Sequence, residues 1–434
     1  MSITSQIREG LKNPAFKSVG IYIFTNFFSK GISFLLIPVF TNPRYLTPAD
    51  NGLLSLFSSN MALLAPFVSL GLIQSCTADF YKKSEKDFAA SFTSSFILSF
   101  LMSALAALLL FIFRDMLEKK FQFPASFIYI LPGLAFLIFS GEQLAALIRN
   151  RNEVKRFAVI GISRSIIEYL LSVILIVFFF TGWMGRIWGI AVSLLSINLF
   201  AFGYYIKNRY ISFHFNKAHL VEELKFGIPI LVFQLCVFML GSSNKLFLAI
   251  YNVDKSQLGI YSIACVLGTI VGVIAQSVLL YAQPHLYKSI SQGEATMQTA
   301  KRDFFRYFKM LTLLSVACIL IVLFTYYFLI NKLYLPGIPY FFLVALSSYI
   351  WGLNYFVFLF LLYHKEKRKI LIIAVISLIW SVTINVLLVK YFLILGDALA
   401  GLINTIVFSL LIIIFAKKII IDTLNKKKQP DVTL

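Results

Sequence analysis

Phe157-Ala-Val-Ile-Gly-Ile-Ser-Arg-Ser-Ile-Ile-Glu-Tyr-Leu-Leu-Ser-Val-Ile-Leu-Ile-Val-Phe-Phe-Phe180 is apolar almost throughout, yet it carries one cation, Arg164, and one carboxylate, Glu168. A helix of about 20 apolar residues crosses the hydrocarbon of a bilayer. A charge near the centre of such a helix costs about 2.5 kcal/mol or more. The i,i+4 spacing of Arg164 and Glu168 puts both on one helix face. The segment reads as a membrane helix with one face turned to something other than lipid.

Runs of the same kind recur along the chain. Of its 434 residues, 59% are hydrophobic and 13% charged, against about 45–50% apolar and about 25% charged in soluble domains. No soluble core could hide that much apolar surface, so the solvent for most of the chain must be lipid. About twelve runs are long enough to span. They start near Val19, Asn51, Ala89, Pro124, Phe157 and Trp183, and again near Phe226, Gln257, Tyr307, Pro336, Ile370 and Asp397. The expected fold is an all-α integral membrane protein of about 12 transmembrane helices in two parallel six-helix lobes. The lobes would comprise residues 1–206 and 226–434, joined by a cytoplasmic linker at 207–225 and ending in a basic tail.

Charge distribution gives the orientation. The chain carries 39 Lys and Arg against 19 Asp and Glu, a formal net charge of +20. Nucleic acid is not the partner, because the basic residues sit in short segments between apolar runs and form no continuous basic face. They concentrate in the two tails and the even-numbered loops, as in Arg149, Arg151, Lys155 and Arg156, or Lys365, Lys367, Arg368 and Lys369. The odd loops hold few, among them Arg44, Arg186 and Lys390. This bias places both termini in the cytoplasm of a multi-pass inner-membrane protein.

The chain also repeats itself. Leu46-Thr-Pro-Ala-Asp-Asn-Gly-Leu-Leu-Ser55 resembles Val253-Asp-Lys-Ser-Gln-Leu-Gly-Ile-Tyr-Ser262, and Phe80-Tyr-Lys82 resembles Leu286-Tyr-Lys288. With an even number of spans per half, the repeats run parallel, and a substrate path is expected between the halves.

Charges and prolines inside the spans are the candidate functional residues. Lys30, Arg164 and Lys245 are the cations, and Glu142 and Glu168 the carboxylates. Together they suggest a hydrated, net-basic cavity that attracts an anion. The competing reading is a set of buried ion pairs, such as Lys30 with Glu168, that only fix packing; Lys245 could instead snorkel to the outer interface. Pro38, Pro66 and Pro132 each remove a backbone donor inside a span, as hinges for alternating access or as static bends. No GxxxxGK[ST] loop and no metal-ligand histidine pair occurs, so no cofactor, metal, ATP hydrolysis or enzyme activity is expected.

Phe28-Ser-Lys-Gly-Ile-Ser-Phe-Leu-Leu-Ile-Pro-Val-Phe-Thr41 and Tyr45-Leu-Thr-Pro-Ala-Asp-Asn-Gly52 resemble the opening of bacterial polysaccharide repeat-unit flippases. These belong to the multidrug/oligosaccharidyl-lipid/polysaccharide exporter superfamily. Phe226-Gly-Ile-Pro229, Gly259-Ile-Tyr-Ser262 and Pro284-His-Leu-Tyr287 repeat the resemblance in the second half. It implies two six-helix lobes in a V around a central cavity, and undecaprenyl diphosphate carrying a few sugars as substrate. A polysaccharide polymerase and a chain-length regulator are the implied protein partners, in O-antigen or other surface polysaccharide synthesis. The family often has an acidic-basic pair late in the seventh span. Here that position reads Asn244-Lys245, so the cation is kept and the carboxylate lost. A multidrug/cation antiporter would want carboxylates without competing cations. A peptidoglycan-precursor flippase would resemble the chain less, lacking here two further spans and several cavity arginines. A membrane-embedded glycosyltransferase would need a sizeable soluble domain or a long periplasmic loop.

Overall fold

The computed structural model describes residues 21, 24–25, 28, 31–121, 124–212, 217–241, 244–364 and 366–425. Among them the chain is helical nearly throughout and forms no strand. Nine helices are long and apolar enough to cross a membrane among the described residues. The protein is an all-α integral membrane protein, as the hydropathy implied. In lipid each backbone N–H and C=O must be satisfied within the segment, and a helix does that.

In chain order the helices are α1 (Ile37–Phe40), α2 (Pro48–Ser69), α3 (Leu72–Lys82), α4 (Glu85–Ile112), α5 (Arg114–Phe121), α6 (Ala125–Asn150), α7 (Val154–Val173) and α8 (Trp183–Lys207). A π-helical turn, Ile174–Phe178, closes α7. Then come α9 (Lys217–Gly241), α10 (Asn244–Ile250), α11 (Lys255–Ser291), α12 (Met297–Phe328), α13 (Ile338–Tyr363) and α14 (Lys367–Asn425). The expected starts from Asn51 onward all fall in these helices or in the residues that lead into them.

The quoted repeat marks equivalent helix starts. Thr47 caps α2 in a reciprocal capping box with Asp50, and Pro48 follows at the first helical position. Proline suits that position, whose N–H has no helical acceptor. In the second copy the Asp254 carboxylate accepts from the N–H groups of Ser256 and Gln257 and caps α11. Beyond the caps the copies diverge. Helix α11 runs on unbroken for 37 residues. The first copy breaks between α2 and α3, where Leu70 and Gly71 are both left-handed at φ 46° and 66°. Pro66 stands just before that break.

The chain divides into two compact units, Met1–Phe238 and Met239–Leu434. The division falls inside α9, so most of the first span expected for the second lobe counts with the first unit. Local contacts explain this. A Cβ on Gly71 would collide with Ile230, and one on Gly227 would lie 2.6 Å from the Leu70 carbonyl oxygen. The start of α9 is also tied electrostatically. Lys83 Nζ lies 2.9 Å from Asp79 and 3.1 Å from Glu222, and the Ser91 hydroxyl lies 2.7 Å from carboxylate oxygens of both Asp79 and Glu223.

The first unit's core joins Cys76, Phe88, Phe92, Leu144, Leu147 and Tyr205. Side chains also bond across its helices: Tyr205 donates to the Ser140 carbonyl at 2.8 Å and Asn198 to that of Leu137 at 2.9 Å. Lipid gives no hydrophobic reason for helices to associate, so close packing and such bonds hold them. In the second unit Leu279, Tyr307, Leu311, Phe356, Leu359 and Phe360 form the main core, and Tyr307 donates to the Gly352 carbonyl at 2.6 Å.

Two expected loops are different in the structure. Arg186 lies in α8 and not in an outer loop. Lys390 is likewise helical, because α14 contains the eleventh and twelfth expected spans joined across one non-helical residue, Leu393, at φ 48° and ψ −123°. Gly396 makes that hairpin possible: any Cβ there would strike the Leu388 carbonyl.

Candidate functional site

The first unit's charged site lies where α7 and α8 pack together. Glu168 is half-buried and bonded to Arg186, Oε1 to Nη2, at 2.6 Å. The same guanidinium donates through Nη1 to the Ser172 hydroxyl at 3.0 Å. It also lies over the Tyr169 ring at 4.3 Å and near that of Phe40 at 5.6 Å. Arg186 is thereby held by one carboxylate, one hydroxyl and two rings. A Cβ on Gly189 would lie 2.8 Å from the Glu168 carbonyl oxygen, so a glycine lets α8 approach α7 closely enough for the pair to close.

Arg164 lies one helical turn before Glu168, in the span 154–178. It is half-buried and forms no ion pair among the described residues. The shared face read from the sequence did not become a shared bond, because Glu168 turns to the neighbouring helix. Glu142 on α6 is also half-buried and without an ion pair among the described residues. Lys30, expected as the partner of Glu168, lies outside the described residues.

The second unit carries its own charged site. Asp397 is fully buried, at 0% exposure. Lys245 of α10, Tyr261 of α11 and Cys265 of α11 surround it within electrostatic reach. Neither carboxylate oxygen has a hydrogen bond of good geometry among the described residues. A buried carboxyl either keeps a counter-charge or takes up a proton, and Lys245 is the cation within electrostatic reach of Asp397.

Of the prolines, Pro66 and Pro132 lie inside helices α2 and α6. Pro38 sits in the first turn of α1, directly after a break at Leu36. The Ser103 hydroxyl donates to the Pro132 carbonyl at 2.8 Å and ties α4 to that bend. Among the described residues no group of three His, Cys, Asp or Glu could hold a metal ion.

Sequence reasoning missed Arg186 and Asp397. A signal existed for each. Glu168 and Arg186 are an acid and a base on the two arms of one helical hairpin. Asp397 is the single acidic residue in the apolar stretch from Ile370 to Ile421, and it lies within a helix where hydropathy alone starts a span.

These features define a multi-pass membrane protein built from helices, with charged groups held inside the spans of each unit. The sequence model of the polysaccharide biosynthesis protein family matches residues 15–284, and the chain belongs to that family. No match was found among curated proteins. Among solved structures it is similar to the lipid II flippase MurJ in an inward closed conformation, at 14% identity and a TM-score of 0.72, covering 92% of this chain and 89% of that one. It is similar to an inward-facing multidrug resistance MATE family transporter of the MOP superfamily at 14% identity and a TM-score of 0.66, covering 92% and 95%. A MOP superfamily transporter from Pyrococcus furiosus, described as having a binding pocket of reverse polarity, matches at 16% identity and a TM-score of 0.52 over 94% and 97%. These likenesses show a shared fold.

Proposed function

We propose that this protein carries undecaprenyl-diphosphate-linked oligosaccharide repeat units from the cytoplasmic to the periplasmic leaflet of the bacterial inner membrane. Transport proceeds by alternating access and supplies O-antigen or another surface polysaccharide. The observation that supports the reading is Arg164. Of the three cations expected to meet substrate, Lys245 is near Asp397 and Lys30 lies outside the described residues. Arg164 is half-buried within a span, with no ion pair among the described residues. A partly buried guanidinium without a carboxylate partner can attract an anion, and a diphosphate is such an anion. Family membership supports the sugar-lipid class. Pro38, Pro66 and Pro132 are the hinge candidates, and Glu142 is the candidate for coupling to a proton or sodium ion.

The test is reconstitution in vesicles, following the appearance of lipid-linked sugar at the outer face. Arg164→Gln should lower the rate about tenfold or more, the worth of one charge-assisted hydrogen bond, at unchanged abundance. Arg164→Lys should recover part of it. A full rate in Arg164→Gln would remove this residue from the mechanism, and cation export without lipid-linked sugar movement would favour the antiporter reading.

A further inference from the structure

At the turn between α6 and α7 two arginines pair with one carboxylate, and two further cations, Arg149 and Lys155, stand within four residues of it in sequence. Glu153 accepts from Arg156 at 2.5 Å and lies 3.5 Å from Arg151. Arg149 lies over the Phe157 ring. Lys155 is exposed and forms no ion pair among the described residues. Below it opens a groove of about 560 Å³ between α7 and α8. Lys155 and Arg156 form its rim, and Val159, Ser163, Ile197 and Phe200 line its walls. Val159 is 63% and Phe200 47% exposed, so the walls are open to the surrounding lipid.

We infer that this groove is a binding site for one anionic diacyl phospholipid, with its phosphate on Lys155 and Arg156 and one acyl chain between Val159 and Phe200. Two features select that ligand together. Positive charge in excess of Glu153 at the end of a membrane helix attracts an anionic head group, the usual property of basic pockets between spans. The apolar walls demand a chain, which excludes a free phosphate or nucleotide. Depth separates a phospholipid from the polyprenyl carrier. From Lys155 to Ser163 the helix rises about 12 Å, which is less than one leaflet of a hydrocarbon core about 30 Å thick. An acyl chain, about as long as one leaflet, would have most of its length in the groove, whereas an undecaprenyl chain, several times longer, would leave most of its length outside. The inner end of the groove, Ser163, adjoins Arg164, so the bound lipid would steady the helix that carries the candidate substrate cation.

Native mass spectrometry of the purified full-length protein in detergent tests the assignment. Titration with phosphatidylglycerol should give one retained lipid at low concentration, and phosphatidylcholine should bind about tenfold more weakly or worse, as expected for loss of head-group charge at a basic site. Lys155→Glu combined with Arg156→Glu should abolish the preference. Val159→Trp, which fills the groove and leaves the charges in place, should also displace the lipid. Equal retention of both phospholipids, or undiminished retention by both variants, would overturn the site. Undecaprenyl phosphate competing out phosphatidylglycerol at equal concentration would overturn the choice of occupant and make the groove a carrier-lipid site. None of these readouts depends on transport, so the outcome is independent of the function proposed above.

Discussion

Both units place a cation near a carboxylate inside the membrane, but they do it differently. In the first, Arg186 and Glu168 meet directly at 2.6 Å, with 15% and 16% of their side chains still exposed. A hydroxyl and two aromatic rings take up the rest of the guanidinium. In the second, Asp397 is sealed off, with no hydrogen bond of good geometry among the described residues, and Lys245 acts on it through space. A directly bonded, partly exposed pair is a local clamp, and loss of one member leaves a group that can still reach some water. A sealed carboxylate has no water to turn to and must keep its counter-charge or take up a proton. The second site is therefore the more vulnerable, and the one whose pairing would change more sharply if its helices moved.

The largest expected effect tests that difference. Lys245→Ala should cost up to about 3–5 kcal/mol, the range for a buried ion that stays charged without its partner, and less to the extent that Asp397 takes up a proton. Thermal unfolding in detergent would show it, and adding Asp397→Leu should restore most of the loss. A single Lys245→Ala variant as stable as the parent would mean that Lys245 does not neutralise Asp397.

A smaller effect is expected at the clamp. Arg186→Met should cost about 1.5–3 kcal/mol, the range for hydrogen bonds to charged groups. The Arg186→Met, Glu168→Leu double variant should recover much of it in the same assay. If Arg186→Met proved more damaging than Lys245→Ala, the ranking of the two sites by burial would fail.

Arg164 should contribute little to stability. Arg164→Gln should fall within about 0.5 kcal/mol of the parent, as for positions without an engaged partner, while transport drops. A loss of stability as large as that of Arg186→Met would reveal a structural partner and weaken its assignment to substrate.

The smallest effect concerns pH. At the start of α9, ahead of the apolar stretch that begins at Phe226, Glu223 is 2% exposed. Burial pushes its carboxyl up, with Asp79 adding to the rise and Ser91, Ser75 and Lys83 opposing it. A group whose folded pKa lies above its unfolded value binds more protons in the folded state, so its contribution weakens as pH rises. Stability in detergent should therefore fall gradually from pH 4.5 upward through the raised range, and Glu223→Gln should flatten that slope. An unchanged slope in Glu223→Gln would place the pH dependence elsewhere.

The sequence by itself determined the solvent and the class of fold. Hydropathy over about 20 residues is a local quantity, and lipid leaves a chain little choice but helix. It also determined the repeat, because the same short-range capping chemistry starts α2 at Thr47 and α11 at Asp254. Which residues could carry charge into the membrane was legible in part: Arg164, Lys245, Glu142 and Glu168 could be read from the sequence, but Arg186 and Asp397 were missed. Which charge meets which was decided only by tertiary structure. Arg164 and Glu168 share a face by spacing, yet a close approach at Gly189 gave Glu168 to Arg186 of the next helix. Lys245 and Asp397 are more than a hundred residues apart, and no local pattern relates them. Pairing depends on the rotation of each helix about its axis and on the depth at which hairpins register. Those are set by contacts between residues distant in the chain, as where Gly71 admits Ile230 and Gly396 closes the last hairpin.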